Sequence, residues 1–196
     1  MTADAFPIVL SLRVAALAML AVGPVGLGLA WLQAKKRYRG RGLVDALILL
    51  PLVLPPSVLG YLLVVVLGRQ GLLGQGLDAV FGLRLVFTPA AAVIASAVVA
   101  LPLLVKTAQP ALESVPRETE DVARSLGLGE WAVFLRVTLP GAWRGVLAGG
   151  VVAFARAVGE FGATLMFAGN IPGRTNTMPL EIFAAYQRGD DARALL

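Results

Sequence analysis

Four long apolar runs constrain the fold of this chain more than any other feature. They cover residues 8–32, 43–67, 85–105 and 146–168. Each run is close in length to the roughly 20 residues with which an α-helix crosses the hydrocarbon core of a bilayer. Only 15% of the 196 residues are charged, whereas soluble domains average about 25%. The sequence therefore predicts an all-α, polytopic transmembrane helical bundle that forms one domain over residues 1–196.

The basic residues are distributed unevenly around these runs, and their distribution predicts an orientation. Cytoplasmic loops of membrane proteins carry an excess of Lys and Arg. We therefore expect the segment after the first run and the segment between the third and fourth runs to be cytoplasmic, and the N-terminus to lie outside. The net charge of +5 does not indicate a nucleic-acid partner, because the charges flank membrane runs. The two basic clusters are Lys35, Lys36, Arg37, Arg39 and Arg41, and Lys106, Arg117, Arg124, Arg136 and Arg144, whereas the other side holds Arg69, Arg84, Arg174 and Arg188.

The residue types that the sequence lacks exclude several functions. The chain has no Cys and no His, which excludes Cys/His metal sites, a Cys nucleophile, a His base and disulfides. The phosphate-binding pattern G-x-x-x-x-G-K-[ST] does not occur either. We therefore expect no catalytic residue, no metal site and no bound cofactor in this chain. ATP-driven transport would need an ATPase on a separate chain.

Prolines interrupt the second run and predict a broken helix. Pro51, Pro55 and Pro56 each remove a backbone hydrogen bond, and Pro55-Pro56 suits the first turn of a new helix. The free N–H groups of a helix that starts near Ser57 can bind an anion. A kink packed against other helices explains the prolines as well. The residues that follow, 68–84, are predicted to form a glycine-rich external loop.

The fourth run contains two charged residues, Arg156 and Glu160, one helical turn apart. A charge at the bilayer centre costs about 2.5–3.5 kcal/mol on insertion scales. The two side chains therefore face each other, a cavity or a partner chain, and not lipid. One interpretation is an ion pair that fixes packing. In the other, Arg156 lines a pathway and attracts oxyanions, and Glu160 moderates the affinity.

A polar stretch separates the third and fourth runs. Charged residues are concentrated from Arg117 to Arg124, which predicts a short helix that Gly127 and Gly129 end. A second, amphipathic helix is predicted to begin near Glu130 and to stop at Pro140. The stretch is either a simple connection between two spans or a docking surface, since loops carry function more often than cores do.

The pattern of this stretch resembles the cytoplasmic loop of bacterial ABC importer permeases. That signature reads E-A-A-x-x-x-G and then I-x-L-P, and here D-V-A-R-S-L-G and V-T-L-P stand at the same spacing. The resemblance implies a coupling helix within residues 110–140 that seats in a cleft of the ATPase. Asp121 replaces the family's glutamate, and Glu120 beside it offers a longer carboxylate. The implied coupling residues are Glu120, Asp121, Ala123, Arg124, Leu126, Gly127 and Pro140.

Three further stretches are similar to the molybdate branch of these permeases. They are L-P-L-V-L-P-P-S-V-L-G-Y from Leu50, F-A-R-A-V-G-E-F-G-A-T from Phe154 and G-N-I-P-G-R-T-N-T from Gly169. The resemblance implies a substrate pathway and an outer turn at which a substrate-binding protein docks, although Arg174 suits a solvated loop equally well. The implied pathway residues are Ser57, Arg156, Glu160 and Thr164, and the docking residues are Asn170 and Arg174. The family has a further span after Asp190, so we expect the given chain to lack one C-terminal span.

Taken together, the resemblance implies an inner-membrane permease subunit of an ABC importer for molybdate. It implies a homodimer, two copies of an ATPase that holds ATP and Mg²⁺, and an extracytoplasmic binding protein. Tungstate and sulfate remain alternative substrates, because these anions are similar in size and charge. A passive anion channel is an alternative of another class, although it would not need the coupling loop. A membrane enzyme is disfavoured by the missing His and Cys, and by Glu160 being the one carboxylate in the runs' interior.

Overall fold

The structure is a computed structural model that describes residues 5–190. Within that range it contains ten α-helices, one π-helical segment and no strand, which confirms the predicted all-α class. The predicted start of a further helix after Asp190 lies outside the described residues. The elements are α1 (Ala5–Lys35), α2 (Arg41–Val53), α3 (Pro56–Leu67), α4 (Leu72–Phe81), α5 (Pro89–Glu113), α6 (Arg117–Ser125), α7 (Glu130–Val133), the π segment (Phe134–Thr138), α8 (Leu139–Val158), α9 (Gly162–Phe167) and α10 (Met178–Arg188).

Helix α5 forms the centre of the bundle, and α1 and α8 pack along it. Small side chains let the helices approach closely, which matters in lipid because van der Waals packing drives helix association there. A Cβ atom at Gly26 of α1 would lie 2.7 Å from Leu104 Cδ2, and one at Gly145 of α8 would lie 2.2 Å from Ala111 Cβ. The buried face of α5 is correspondingly rich in alanine: Ala91, Ala92, Ala95, Ala100 and Ala108.

Among residues 5–190, four helical segments are long and apolar enough to cross a membrane. The second predicted run, 43–67, is divided between α2 and α3, since α2 ends at Val53 and α3 begins at Pro56. Leu54 and Pro55 between them have ψ values of 138° and 136°, which are extended. The predicted break at Pro55-Pro56 is therefore confirmed. The four segments are Ala5–Lys35, Pro56–Gly76, Pro89–Glu113 and Glu130–Val158.

The prediction that residues 68–84 form an external loop is wrong, because α4 occupies most of this segment. Its glycines allow α4 to fold closely against the end of α3. A Cβ atom at Gly74 would lie 1.9 Å from the carbonyl oxygen of Gly68, and one at Gly71 would lie 2.3 Å from that of Val65. Glycine is required here for close packing of backbone on backbone, and not for loop flexibility.

The prediction that the second polar helix stops at Pro140 is also wrong. Helix α7, the π segment and α8 follow one another without interruption. The N–H of Leu139 donates to the carbonyl oxygen of Phe134, five residues back, as in a π-helix. Pro140 then stands in the first turn of α8, where a missing N–H is tolerated.

The fourth predicted run, 146–168, is not one helix. Helix α8 ends at Val158 and α9 begins at Gly162, so the chain is interrupted near Glu160. The side chain of Glu160 accepts a hydrogen bond from the N–H of Ala163 at 2.8 Å, which satisfies one free donor at the start of α9. This local bond makes the break stable inside the bundle.

Candidate functional site

Helix α6 is the short polar helix that the sequence predicts, and Gly127 ends it. Gly127 has a φ of +87°, in the left-handed region. Its N–H donates to the carbonyl oxygen of Arg124 at 2.9 Å, and the N–H of Leu128 donates to that of Ala123 at 3.2 Å. This pair of bonds is the Schellman motif, which satisfies the last carbonyl groups of a helix. The predicted helix and its predicted end are confirmed.

The two faces of α6 differ sharply in exposure. Ala123 and Glu120 are buried against the bundle. On the opposite face Val122 is 61% exposed and Leu126 is 79% exposed, and Trp131 of α7 is exposed beside this loop. Apolar side chains that stand out from a polar loop in this way are typical of a surface that binds another protein. We call Val122, Leu126 and Trp131 the apolar docking face.

Glu120 is not an exposed contact residue, contrary to the expectation that it offers a carboxylate to a partner. Its side chain is only 3% exposed, and Oε1 lies 3.1 Å from Nζ of Lys35. The hydroxyl of Thr138 donates to the same oxygen at 2.6 Å. Glu120 faces inward, where its carboxylate contacts the buried ammonium group of Lys35 and the buried hydroxyl of Thr138. The carboxylates that α6 exposes are therefore those of Glu118 and Asp121.

Arg124 connects α6 to α7 at the surface of the loop. Its Nη1 lies 2.6 Å from Asp121 Oδ1, and its Nε donates to Glu130 Oε1 at 2.7 Å. The hydrogen bond to Glu130 raises the pKa of the Arg124 guanidinium. Lys36, directly after α1, binds the second oxygen of Glu130 at 3.0 Å. Pro140 lies apart from this network, exposed in the first turn of α8.

The two predicted cytoplasmic segments meet at the same end of the bundle. Besides the contacts of Lys35 and Lys36, Arg41 at the start of α2 lies 3.5 Å from Glu113 at the end of α5. The basic cluster after the first run thus faces the acidic residues of the polar loop. This juxtaposition agrees with the prediction that both segments lie on one side of the membrane.

The second predicted site is the pair of charges in the membrane. Arg156 Nη1 lies 2.7 Å from Glu160 Oε2, so of the three predicted alternatives the structure shows the first, in which the two side chains face each other. Glu160 is 1% exposed, whereas Arg156 is 32% exposed. The pair thus presents its cationic half toward the surface of the chain and buries its anionic half. This arrangement suits a structural ion pair and also an anion contact.

Ser57 and Thr164 lie in different environments near this pair. Ser57 is exposed in the first turn of α3. A Cβ atom at Gly162 would lie 3.5 Å from Ser57 N and 2.6 Å from Pro56 Cβ, so the starts of α3 and α9 are in contact. Thr164 is 1% exposed, so its side chain lies in the packed interior of the chain. Of these two predicted pathway residues, only Ser57 faces outward.

The predicted outer turn, which follows α9, is tightly bonded. Asn170 donates from Nδ2 to the carbonyl oxygen of Leu180 at 3.3 Å, whereas Arg174 is exposed. Thr175 accepts from the N–H of Ile171 and donates to the carbonyl oxygen of Gly169, both at 3.0 Å. Thr175 is not among the site residues predicted from the sequence. Its position in the short polar segment that follows the fourth apolar run is the sequence signal that could have identified it.

The described residues form a helical bundle with four segments able to cross a membrane, an exposed polar helix between the third and the fourth, and an ion pair at the end of the fourth, which is the architecture of a polytopic membrane protein. Residues 23–191 match the family described as "Binding-protein-dependent transport system inner membrane component", and the chain belongs to this family. It is accordingly a multi-pass inner-membrane protein, as the sequence predicts.

Relatives over most of the chain are permeases of molybdenum transport systems. The "Molybdenum transport system permease protein ModB" of Escherichia coli (strain K12) is 46% identical over 180 residues, which cover 92% of this chain and 79% of the relative. The protein of the same name from Haemophilus influenzae is 47% identical over 178 residues, 91% of this chain and 78% of the relative. The "Putative molybdenum transport system permease protein YvgM" of Bacillus subtilis (strain 168) is 41% identical over 189 residues, 96% and 83% of the two chains. The resemblance drawn from the motifs is confirmed.

Proposed function

We propose that this chain is the membrane-spanning permease subunit of an ABC importer that carries molybdate into the cytoplasm. The importer assignment rests on one observation above all, the apolar docking face on the exposed side of α6. Val122 of this mostly charged helix and Leu126 directly after it are both largely exposed, and a grouped set of exposed apolar side chains supports a surface that a partner covers. The assignment of molybdate as the substrate rests on the relatives. They match nearly the whole of this chain, and they are named for molybdenum transport.

The partner of the docking face is a cytoplasmic ATPase. The sequence has no phosphate-binding loop of its own, so ATP and Mg²⁺ are held by the ATPase. Besides the apolar docking face, Asp121 and Arg124 of α6 reach it, and Gly127 sets the shape of the helix end. Two ATPase copies serve a permease homodimer. Their closure tilts the spanning helices as rigid bodies and opens the pathway to alternate sides.

The pathway runs along the charge pair at the interface of the two permease subunits. Molybdate is a dianion, and the exposed part of Arg156 supplies a positive potential within the membrane. Glu160 neutralises part of that charge, so the anion is admitted without being retained, as conduction requires. Ser57 at the start of α3 offers a hydroxyl and free N–H groups nearby.

The outer face receives a substrate-binding protein. The N-terminus lies on this side, and the turn that contains Asn170 and Arg174 forms part of the docking surface. The hydrogen bonds of Asn170 and Thr175 hold the turn in one shape, which lowers the entropic cost of binding a partner.

The proposal is tested by reconstitution. The chain is purified together with the partner ATPase, inserted into liposomes and supplied with the binding protein. We expect molybdate to stimulate ATP hydrolysis and to accumulate only with ATP present, and tungstate and sulfate run in parallel test the substrate. Uptake by the permease alone, without ATPase or nucleotide, would show a passive anion channel and would overturn the proposal.

A further inference from the structure

A single buried carboxylate connects three parts of the chain, α6, α1 and the π segment, at the end of the bundle that carries the docking helix. Glu120 on α6 lies 3.1 Å from Lys35 on the last turn of α1 and accepts from Thr138, the last residue of the π segment, at 2.6 Å. Lys35 also donates to the carbonyl oxygen of Val115, just before α6, at 2.7 Å. We call Lys35, Glu120 and Thr138 the buried joint.

The buried joint is a costly arrangement for stability alone. The side chains of Lys35 and Glu120 are 6% and 3% exposed, and two charges removed from water recover their desolvation cost only with excellent geometry and further hydrogen bonds. Here Thr138 and the carbonyl of Val115 supply those bonds. An apolar trio of similar volume would serve packing as well, so the polar trio points to a requirement for one defined geometry.

The position of the joint indicates what that geometry serves. The backbone of α6 packs closely on α7 and the π segment, whereas its direct link to α1 is the contact between Glu120 and Lys35. Both α1 and α8 pack along α5 at the centre of the bundle. A displacement of α6 therefore reaches α1 through Lys35 and α8 through Thr138.

We propose that Glu120 is a positioning residue that ties the docking helix to α1 and to the π segment, so that movement of α6 moves both spanning helices together. This inference rests on the proposed function, because it assigns the joint a place in the coupling of ATP hydrolysis to transport. Glu120 does not contact the ATPase or the substrate. It acts by holding α6 at a fixed angle to the two helices.

The chain offers a matched pair of controls. Lys36 is the neighbour of Lys35 and makes the same kind of bond, to Glu130, but at the surface of the loop. Exposed ion pairs contribute little rigidity or stability. Lys36→Met therefore removes one lysine charge, as a change at Lys35 would, and leaves the contacts of the buried joint intact. At Thr138, serine keeps the hydroxyl that donates to Glu120, whereas valine keeps the shape and loses the hydroxyl.

The experiment measures molybdate taken up per ATP hydrolysed in liposomes that contain the complete transporter and its binding protein. For Glu120→Gln and Thr138→Val we expect the ATPase to remain bound and active while the ratio falls about fivefold or more, the lower end of usual coupling between sites. Thr138→Ser and Lys36→Met should keep the wild-type ratio. If Glu120→Gln does not fold, the comparison of Thr138→Val with Thr138→Ser tests the inference by itself.

Two results would overturn the inference. One is an unchanged ratio in Thr138→Val, and the other is a parallel loss of bound ATPase, hydrolysis and uptake, which is what a purely structural role predicts. Wild-type transporter without molybdate-dependent turnover would instead overturn the proposed function, and this inference with it. The wild-type and Thr138→Val samples thus separate the two failures.

Discussion

The end of the docking helix offers a sharp test of the structure, through the substitution Gly127→Ala. Gly127 has a φ of +87°, and a Cβ atom added there would meet no atom within 4 Å. The substitution therefore changes no packing contact. Its whole cost comes from placing an L-residue in the left-handed region, where Cβ crowds the following carbonyl oxygen.

The expected cost is about 1–2 kcal/mol. A free-energy change of that size corresponds to a factor of about 5–30 in an equilibrium constant. The bonds at risk are the two of the Schellman motif, from the N–H of residue 127 to the carbonyl oxygen of Arg124 and from that of Leu128 to that of Ala123. We therefore expect the last turn of α6 to open about 5–30 times more often in the variant.

Hydrogen exchange at the amide of Leu128 measures this opening directly, because that amide is protected only while the motif is closed. Gly129→Ala is the matched control. Gly129 also has open space around its Cβ position, but its φ of −69° and ψ of 160° are accessible to alanine. Exchange at Leu128 should be unchanged in that variant. Equal exchange in both variants would refute the assignment of the left-handed turn.

Three further predictions concern packing, docking and the pathway. Gly60→Ala brings Cβ to 2.7 Å from Met166 Cβ and 2.8 Å from a backbone oxygen, and should destabilise the protein by about 1–3 kcal/mol. Thermal unfolding in detergent measures this loss. The control is Gly28→Ala, whose Cβ meets nothing within 4 Å and which should show no loss of stability. Leu126→Asp should abolish co-purification of the ATPase without changing the unfolding temperature of the permease, and retention of the ATPase would contradict the docking face. The double variant Arg156→Ala, Glu160→Gln removes both membrane charges together and should lower molybdate uptake about tenfold, the effect of about 1.4 kcal/mol; normal uptake would leave the pair a purely structural role.

Several features of this protein follow from local sequence, because their causes are local. Pro56 disfavours the helical conformation at the residue before it and suits the first turn of a new helix, so Pro55-Pro56 divides the second run, as predicted. Glycine reaches the left-handed region at no steric cost, so Gly127 ends α6. The length and apolarity of the runs predict membrane helices regardless of neighbours. The spacing of Arg156 and Glu160 likewise predicts their contact.

Other features depend on neighbours that are distant in sequence. Glu120 and Asp121 are adjacent carboxylates, and only the position of Lys35 on α1 determines that the first is buried and the second exposed. From the sequence, the glycines of residues 68–84 indicate a loop. The structure shows that Gly71 and Gly74 lie against backbone atoms at the end of α3. From the sequence, Pro140 indicates a helix end. The structure shows that a π segment precedes it and that the helix continues.

The amino-acid sequence by itself determined that this chain is a membrane-spanning helical protein with a polar docking helix, since hydropathy, proline and glycine act through the backbone of their own segment. The tertiary structure alone decided which side of that helix is exposed and which charged groups join it to the bundle. The reason is that burial and ion pairing depend on which distant residues share a point in space.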